Sequence, residues 1–481
     1  MTKRFKKILF FGLCLFFVVT APSVIFYSQG YRFDFNNKKI VQTGGIFLRV
    51  SPPGATIYLD KKLYKKIRFF FETAFINGLI PKNYEIAIEK TDYHPWNKIL
   101  KVEESQVTEA KDIILFPKNP EFNLIAKKVD NFFPSPDGIQ TILQVNEKNS
   151  WSLKLFNTQT QEQSELINEQ ELLSIQENKK INKIIFLNLI WSDDSTKILL
   201  NVSINGEQRY LRIDTKQQNK FFIVNLENNL RDVYFNPINS EEIFYLGPIS
   251  EESENKTIFR LKNTGEQSML NFPSSFSSQN IITHTAIDDS ILWLNESGFV
   301  YRGRINGNKI NLLQSLNLKP IIINKDANYS IIAEDSSKIF IKENEGLYYL
   351  NIEKYLFEKI FDSIKTMEFS EDKKKIVVNT KNQIEVFFLE KENGQPKREI
   401  GEKIFLAGFS NEINNLFWLN NHYVIFCLNE AIKIAEIDNR SKPNLIELTS
   451  FPEAKIFWDK KQKNLFVLSD ENLFSCSDII K

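Results

Sequence analysis

A short hairpin pattern returns along most of the length of this chain. Its clearest copy is Met367-Glu-Phe-Ser-Glu-Asp-Lys-Lys-Lys-Ile-Val-Val378. Met367 and Phe369 alternate with polar neighbours, Ser370 to Lys374 is polar, and Ile376, Val377 and Val378 form a β-branched run. The pattern reads as strand, tight turn and buried strand. Asp372 suits the turn because its carboxylate can accept hydrogen bonds from nearby backbone N–H groups. Phe369, just before the turn, is placed to pack against a neighbouring sheet.

Phe133-Pro-Ser-Pro-Asp-Gly138, Trp191-Ser-Asp-Asp-Ser195 and Tyr234-Phe-Asn-Pro-Ile-Asn239 repeat the pattern, each ahead of an apolar run. Weaker copies begin at Ile287, Asn324, Phe417 and Phe457. The turns centre near residues 137, 194, 238, 289, 326, 372, 420 and 460, a mean period of about 46. Units of this length carry four short strands in a β-propeller. One unit cannot cover its own faces, so neighbours must stack. An all-β fold follows, with a propeller of eight blades (alternatively seven) over residues 121–481. The last unit shows three strands, ending with Asn472 to Ile479, while Phe122-Asn-Leu-Ile-Ala126 has no partner before the first hairpin. Pairing the two would close the ring and remove both open edges. The stretch Gln161 to Lys180 is surplus to the period and rich in Glu and Gln. It reads as a solvated loop or short helix, with a partner-binding loop as the functional alternative.

Pro134-Ser-Pro-Asp-Gly138, Trp191-Ser-Asp-Asp194 and Phe369-Ser-Glu-Asp372 resemble the W-S-P-D-G hairpin of TolB-type, WD-repeat-like propeller repeats. The resemblance covers residues 121–481 and implies a protein-interaction platform.

Ahead of the propeller, Lys3, Arg4, Lys6 and Lys7 form a basic flank within residues 1–7, followed by 20 uncharged, mostly apolar residues, 8–27. At about 1.5 Å per residue these span a hydrocarbon core of about 30 Å. The basic flank orients the N-terminus to the cytoplasm and the bulk outside. The rival is a signal peptide cut after Val19-Thr-Ala21. Pro22 would follow that cut and the apolar run continues through Val24, Ile25 and Phe26, so a retained anchor is expected. Leu13 before Cys14 does not fit a lipobox.

Residues 28–45 read as a connector in which Tyr31–Phe35 and Lys39–Val41 form a small hairpin ended by Gly44-Gly45. Residues 46–117 read as a small β domain, and 118–120 as a linker. Ser51-Pro-Pro-Gly-Ala-Thr-Ile-Tyr-Leu59, Gly78-Leu-Ile-Pro81 with Tyr84, and Tyr93 before Trp96 resemble a PEGA domain, which implies a small β-sandwich of the cell envelope. Pro53 replaces the glutamate of the name-giving motif. Asn83 and Asp92 stand where the family has Gly, and both tolerate positive φ. The two modules are expected to fold separately.

With 61 basic and 60 acidic residues the net charge is +1, which offers no electrostatic case for nucleic acid. His94, His284 and His422 lie far apart, without metal-ligand spacing. Cys427 and Cys476 read as small buried hydrophobes rather than a disulfide. Asp193-Asp194 and Asp288-Asp289 read as turn chemistry. Trp191, Trp293, Trp418 and Trp458 read as packing between blades. No G-x-S-x-G elbow, phosphate loop, dinucleotide fingerprint or zinc motif occurs. No catalytic, cofactor-binding or metal-binding residue is therefore assigned. The expected function is a non-catalytic, membrane-anchored envelope protein that binds a protein or glycan. The alternative is a lyase or glycosidase with its site in the propeller's central pocket. That enzyme needs an acid/base pair, seen as clustered carboxylates or a His–Tyr pair at one mouth.

Overall fold

The computed structural model describes residues 3–35, 37–66, 72–147, 150–175, 183–216, 221–224, 230–250, 253–273 and 280–480. It opens with helix α1 (Lys3–Ser28), whose 26 residues are long and apolar enough to cross a membrane and are nowhere buried in the chain's own core. The basic residues lie inside its first turns rather than before it. Strands β1 (Tyr31–Asp34) and β2 (Lys39–Gln42) form the expected hairpin. Gly44 and Gly45 do not end it as a break. They open β3 (Gly44–Ser51), where a Cβ on Gly44 would collide with the Glu103 carbonyl.

The small domain continues with β4 (Thr56–Leu59), β5 (Lys62–Lys66), β6 (Thr73–Leu79), β7 (Asn83–Glu89), β8 (Trp96–Lys101) and β9 (Val107–Ile114). Two sheets, ordered β6-β3-β9 and β5-β4-β7-β8, face each other. Ile46, Leu48, Ile57, Ile76, Ile86, Ile88, Trp96, Leu100 and Ile113 fill the space between them as one core. The alternation of these residues is what commits the strands to one buried face. Strand β9 begins at Val107, five residues before the run expected from Asp112. Asp92 takes the left-handed conformation, with φ of 67°. Asn83 does not; it sits inside β7, and the nearby left-handed residues are Asp60 and Lys61.

Among the described residues eight four-stranded antiparallel sheets follow, and the first strands of the third, fourth and fifth blades, and of the sixth, seventh and eighth, touch in sequence. The eighth blade is Lys455–Asp459, Asn464–Ser469 and Asn472–Cys476 completed by β10 (Asn123–Lys127), paired Leu124 to Phe474 and Lys127 to Asn472. The ring is thus closed by the strand expected to close it. Seven of the eight hairpin turns lie where the sequence places them. The fifth does not: Tyr329–Ala333 is the first strand of its blade, so the turn falls at Glu334–Lys338 rather than near 326. The stretch Gln161–Lys180 is also not simply a loop. Gln163–Asn168 is the outer strand of the first blade, and Glu169–Ile175 is a short helix whose Leu172 is buried; the remainder lies outside the described residues.

The turns share one chemistry. In three of them a serine, Ser135, Ser192 or Ser370, donates from Oγ to the aspartate two residues on, and its backbone N–H and hydroxyl bridge to the residue five on. The aspartates then accept a backbone N–H across the turn. Neighbouring turns are clasped: Ser240 Oγ donates to Asp194 Oδ2 at 2.7 Å, and the Asp372 N–H donates to Asn421 Oδ1 at 3.0 Å. Between blades, Trp191 Nε1 donates to Phe133 O and Trp418 Nε1 to Glu368 O, both at 2.9 Å. Trp293, Trp418 and Trp458 are fully buried, and Phe369 stacks edge-on against Phe340 of the preceding blade. Cys427 and Cys476 are buried free thiols, and burial pushes the Cys427 thiol up to about 12.

The relocated fifth turn carries a pH prediction. Burial alone would raise the Asp335 pKa, but hydrogen bonds from the Ser337 hydroxyl and backbone and the Lys338 backbone outweigh it, giving about 2 against an ordinary 3.8. A depressed carboxylate contributes stability that is present above 3.8 and is lost as pH falls through about 2. Asp335→Asn should therefore lower stability near neutrality and flatten the acid limb of the unfolding curve in that window. An unchanged acid limb would show that the turn carboxylate does not act this way.

Candidate functional site

The small domain is seated on the propeller, and the seam is polar and buried. Strand β8 lies against the segment Glu436–Asn444 of the seventh blade. Glu436 is the centre of the contact. It accepts Trp96 Nε1 at 3.1 Å, Lys98 Nζ at 2.7 Å and Asn444 Nδ2 at 2.7 Å. The Lys98 side chain is fully buried and also donates to Asp438 O at 2.6 Å. The backbone N–H groups of Asn97 and Ile99 donate to Asn444 Oδ1 and Ser441 Oγ. The alternation that turns Trp96, Lys98 and Leu100 to one side of β8 thus serves both the sandwich core and the seam. Strand β9 completes the contact: the Ile114 N–H donates to Tyr423 OH, and Arg440 Nη1 donates to Glu109 O.

Beside the seam a cleft of about 450 Å³ opens between β9, the segment Lys391–Arg398 of the sixth blade and the segment Glu436–Arg440. Its walls carry charge of both signs, and most of the charges are matched. Lys111 pairs with Glu109, Lys391 with Glu399, Arg398 with Glu402 and Arg440 with Asp438, at 2.6–3.0 Å. The buried Lys375 ammonium bridges Asp372 and Glu392 at the floor. His422 stands half-exposed with Nε2 3.5 Å from Asp112 Oδ2. Burial lowers its pKa below the ordinary imidazole value and outweighs the Asp112 carboxylate that raises it, which favours the neutral ring. Burial pushes Asp372 and Asp438 upward, but hydrogen bonds and cations, Ser370 and Lys375 for the first and Arg440 for the second, leave both below the ordinary carboxylate value. Carboxylates so held are acceptors, whereas a glycosidase acid needs a raised pKa. Gln395 is spent on holding β9, accepting the Glu109 N–H at 2.8 Å and donating to Val107 O at 3.0 Å, so the cleft presents mostly paired charges and the amide of Asn393, a lining suited to hydrogen bonding a polar ligand.

A second opening lies where the first strands of the sixth, seventh and eighth blades begin. Lys365, Glu368, Asn414, Asn415, Glu453 and Lys455 are among its lining residues, and no His or Tyr is. The His–Tyr pair that an enzyme reading looks for does occur elsewhere. Tyr234 and His284 lie 5.2 Å apart on the first strands of the third and fourth blades, with His284 Nδ1 3.6 Å from Asp232 Oδ2. The His284 side chain is fully buried, and the three residues line neither opening. His94 is a turn residue whose N–H donates to Phe116 O. Among the described residues, no group of three or more His, Cys, Asp or Glu is arranged to hold a metal. Asp193 has a pKa raised by burial and then by Asp194, but it stands in a hairpin turn where Asp194 is held by Ser192, Ser240 and Thr196.

Sequence reasoning missed the seam entirely. Lys98 looks like one more solvent-facing lysine in an alternating strand, and its partner lies 338 positions away. A second signal was available. Lys197, Lys338 and Lys375 all follow their turn aspartate by three residues, and all are buried and paired with carboxylates. That spacing marks the fifth turn at Asp335.

No family model matches the chain, and no curated protein matches its sequence. Several solved structures are similar in shape. One is of a prolyl endopeptidase, with 12% identity over 72% of this chain and a TM-score of 0.43; this chain spans only 55% of that one. Another is the Cps50 (Swd1) β-propeller domain of Myceliophteria thermophila, with 12% identity, 74% and 99% coverage and a TM-score of 0.37. A third is YCF48 from Cyanidioschyzon merolae, with 13% identity, 62% and 96% coverage and a TM-score of 0.38. The propeller is read from this chain's own strand pairing, and the fold by itself does not assign a function.

Proposed function

We propose that this is a membrane-anchored, non-catalytic binding protein of the cell envelope, whose PEGA-like sandwich and TolB-like propeller together present one extracytoplasmic surface to a protein or glycan. The observation that carries the reading is the cleft beside the seam, where both domains contribute walls and the ion pairs are already satisfied. Charges neutralised in this way favour recognition through hydrogen bonds over proton transfer. The apolar helix α1 with its basic start supports the anchor and its orientation.

Three experiments test the proposal. Protease added to intact spheroplasts should degrade the chain beyond residue 28, and full protection would overturn the orientation. A photo-cross-linking side chain in place of Lys391 in native cells should give one dominant adduct, absent when the same group replaces Lys309 on the fourth blade. Equal adducts at both positions, or none at Lys391, would overturn the cleft as the binding surface. Turnover of an envelope glycan lost on His422→Ala would favour the enzyme instead.

A further inference from the structure

The apolar surface of α1 does not stop where the helix stops. Tyr31 begins β1 three residues after Ser28, so it lies within about 10 Å of the helix end. Its ring meets Phe26 of the helix edge-on at 5.5 Å. Tyr31 and Phe33 are two apart on a strand and share a face. Phe33 is paired with Ile40 across the hairpin, and its ring lies 5.0 Å from that of Phe35. Phe33, Phe35 and Ile40 are 46%, 81% and 69% exposed. The other face is turned inward, with Asp34 and Val41 buried.

The hairpin is also held at a fixed place on the helix. Arg32 Nη1 donates to Tyr27 O at 2.7 Å, with its guanidinium 3.4 Å above the Tyr27 ring. The Thr43 N–H and hydroxyl both donate to Gly30 O, closing the hairpin base. A tyrosine and an arginine at the end of an apolar helix are the residues that occupy the headgroup layer. Lys38 and Lys39, at the hairpin's far end, add cations that attract lipid phosphates.

We infer that the β1–β2 hairpin is a second membrane contact, with Phe33, Phe35 and Ile40 seated in the outer leaflet at the boundary of headgroups and acyl chains. It rests on the proposed transmembrane anchor. What covers the apolar face is the same bilayer that α1 crosses, because the aromatic face continues the helix surface without a break. The hairpin then sets the distance of the sandwich from the membrane.

The test uses the full chain reconstituted in vesicles of phosphatidylcholine and phosphatidylglycerol. Spin labels are placed one at a time at Cys14, at Phe35→Cys, at Ile40→Cys and at Lys309→Cys, the last three with Cys14→Ser. Cys427 and Cys476 are buried and stay unlabelled. Labels at 35 and 40 should collide with lipid-soluble oxygen more, and with a water-soluble nickel chelate several-fold less, than the label at 309. Labels at 35 and 40 as open to the chelate as 309, with Cys14 shielded, would overturn the hairpin contact and leave the anchor standing. Chelate access at Cys14 itself would overturn both.

Discussion

Lys98→Ala is expected to destabilise the folded chain by about 3–5 kcal/mol, the cost of stranding one partner of a buried ion pair. Glu436 would keep its Trp96 and Asn444 donors but lose the ammonium at 2.7 Å. The Glu436 side chain is only 5% exposed, so water cannot replace that ammonium without opening the seam. Urea unfolding followed by tryptophan fluorescence measures the loss. Adding Glu436→Gln to Lys98→Met should recover part of it, because a neutral amide removes the uncompensated charge while its oxygen can still accept from Trp96 or Asn444. A loss within about 1 kcal/mol, the range of surface pairs, would show that the seam is open to water.

Deleting residues 121–127 should have an effect of similar size or larger. The deletion removes β10, leaves the strand Asn472–Cys476 as an open edge and takes Phe122 from its contact with Phe451 at 5.0 Å. Exposing some 200 Å² of apolar surface at about 25 cal/mol per Å² costs about 5 kcal/mol. The lost strand pairing adds to that figure. Thermal melting should show a sharply lower transition or an insoluble product. Removing Gln163–Asn168 is also expected to destabilise, since it takes away the first blade's outer strand with buried Leu166 and Ile167. A chain without 121–127 that melts like the intact one would mean that the ring does not depend on this closure.

The propeller was legible because its signal is local and repeated. Each hairpin carries alternation, a turn aspartate and a β-branched run within about a dozen residues. Closure was legible from an arithmetic of strands, one orphan at Phe122–Ala126 and one vacancy after Cys476. The fifth turn was misplaced because Lys325-Asp-Ala-Asn328 also has turn composition and precedes an apolar run. Only the register of Asp335 and Lys338 separates the two. The edges of the small domain were harder: β5 is exposed along its whole length, so no alternation marks it. The cleft and seam were not legible at all. They depend on residues such as Lys98 and Glu436, which in sequence are ordinary charges among the chain's 121. Tertiary contact alone buries them, and alternation within one strand carries no record of a partner hundreds of residues away.

A sandwich that is a fixed part of the propeller body makes the cleft between them a permanent surface. A distance distribution by pulsed electron spin resonance tests it most directly. The labels go at Lys62→Cys in β5 and Lys309→Cys on the fourth blade, in full chain carrying Cys14→Ser. A seam held by the buried Glu436 cluster gives one narrow distance, unchanged by moderate salt because buried pairs are poorly screened. A broad distribution, of the kind produced by two modules joined only through residues 118–120, would contradict it.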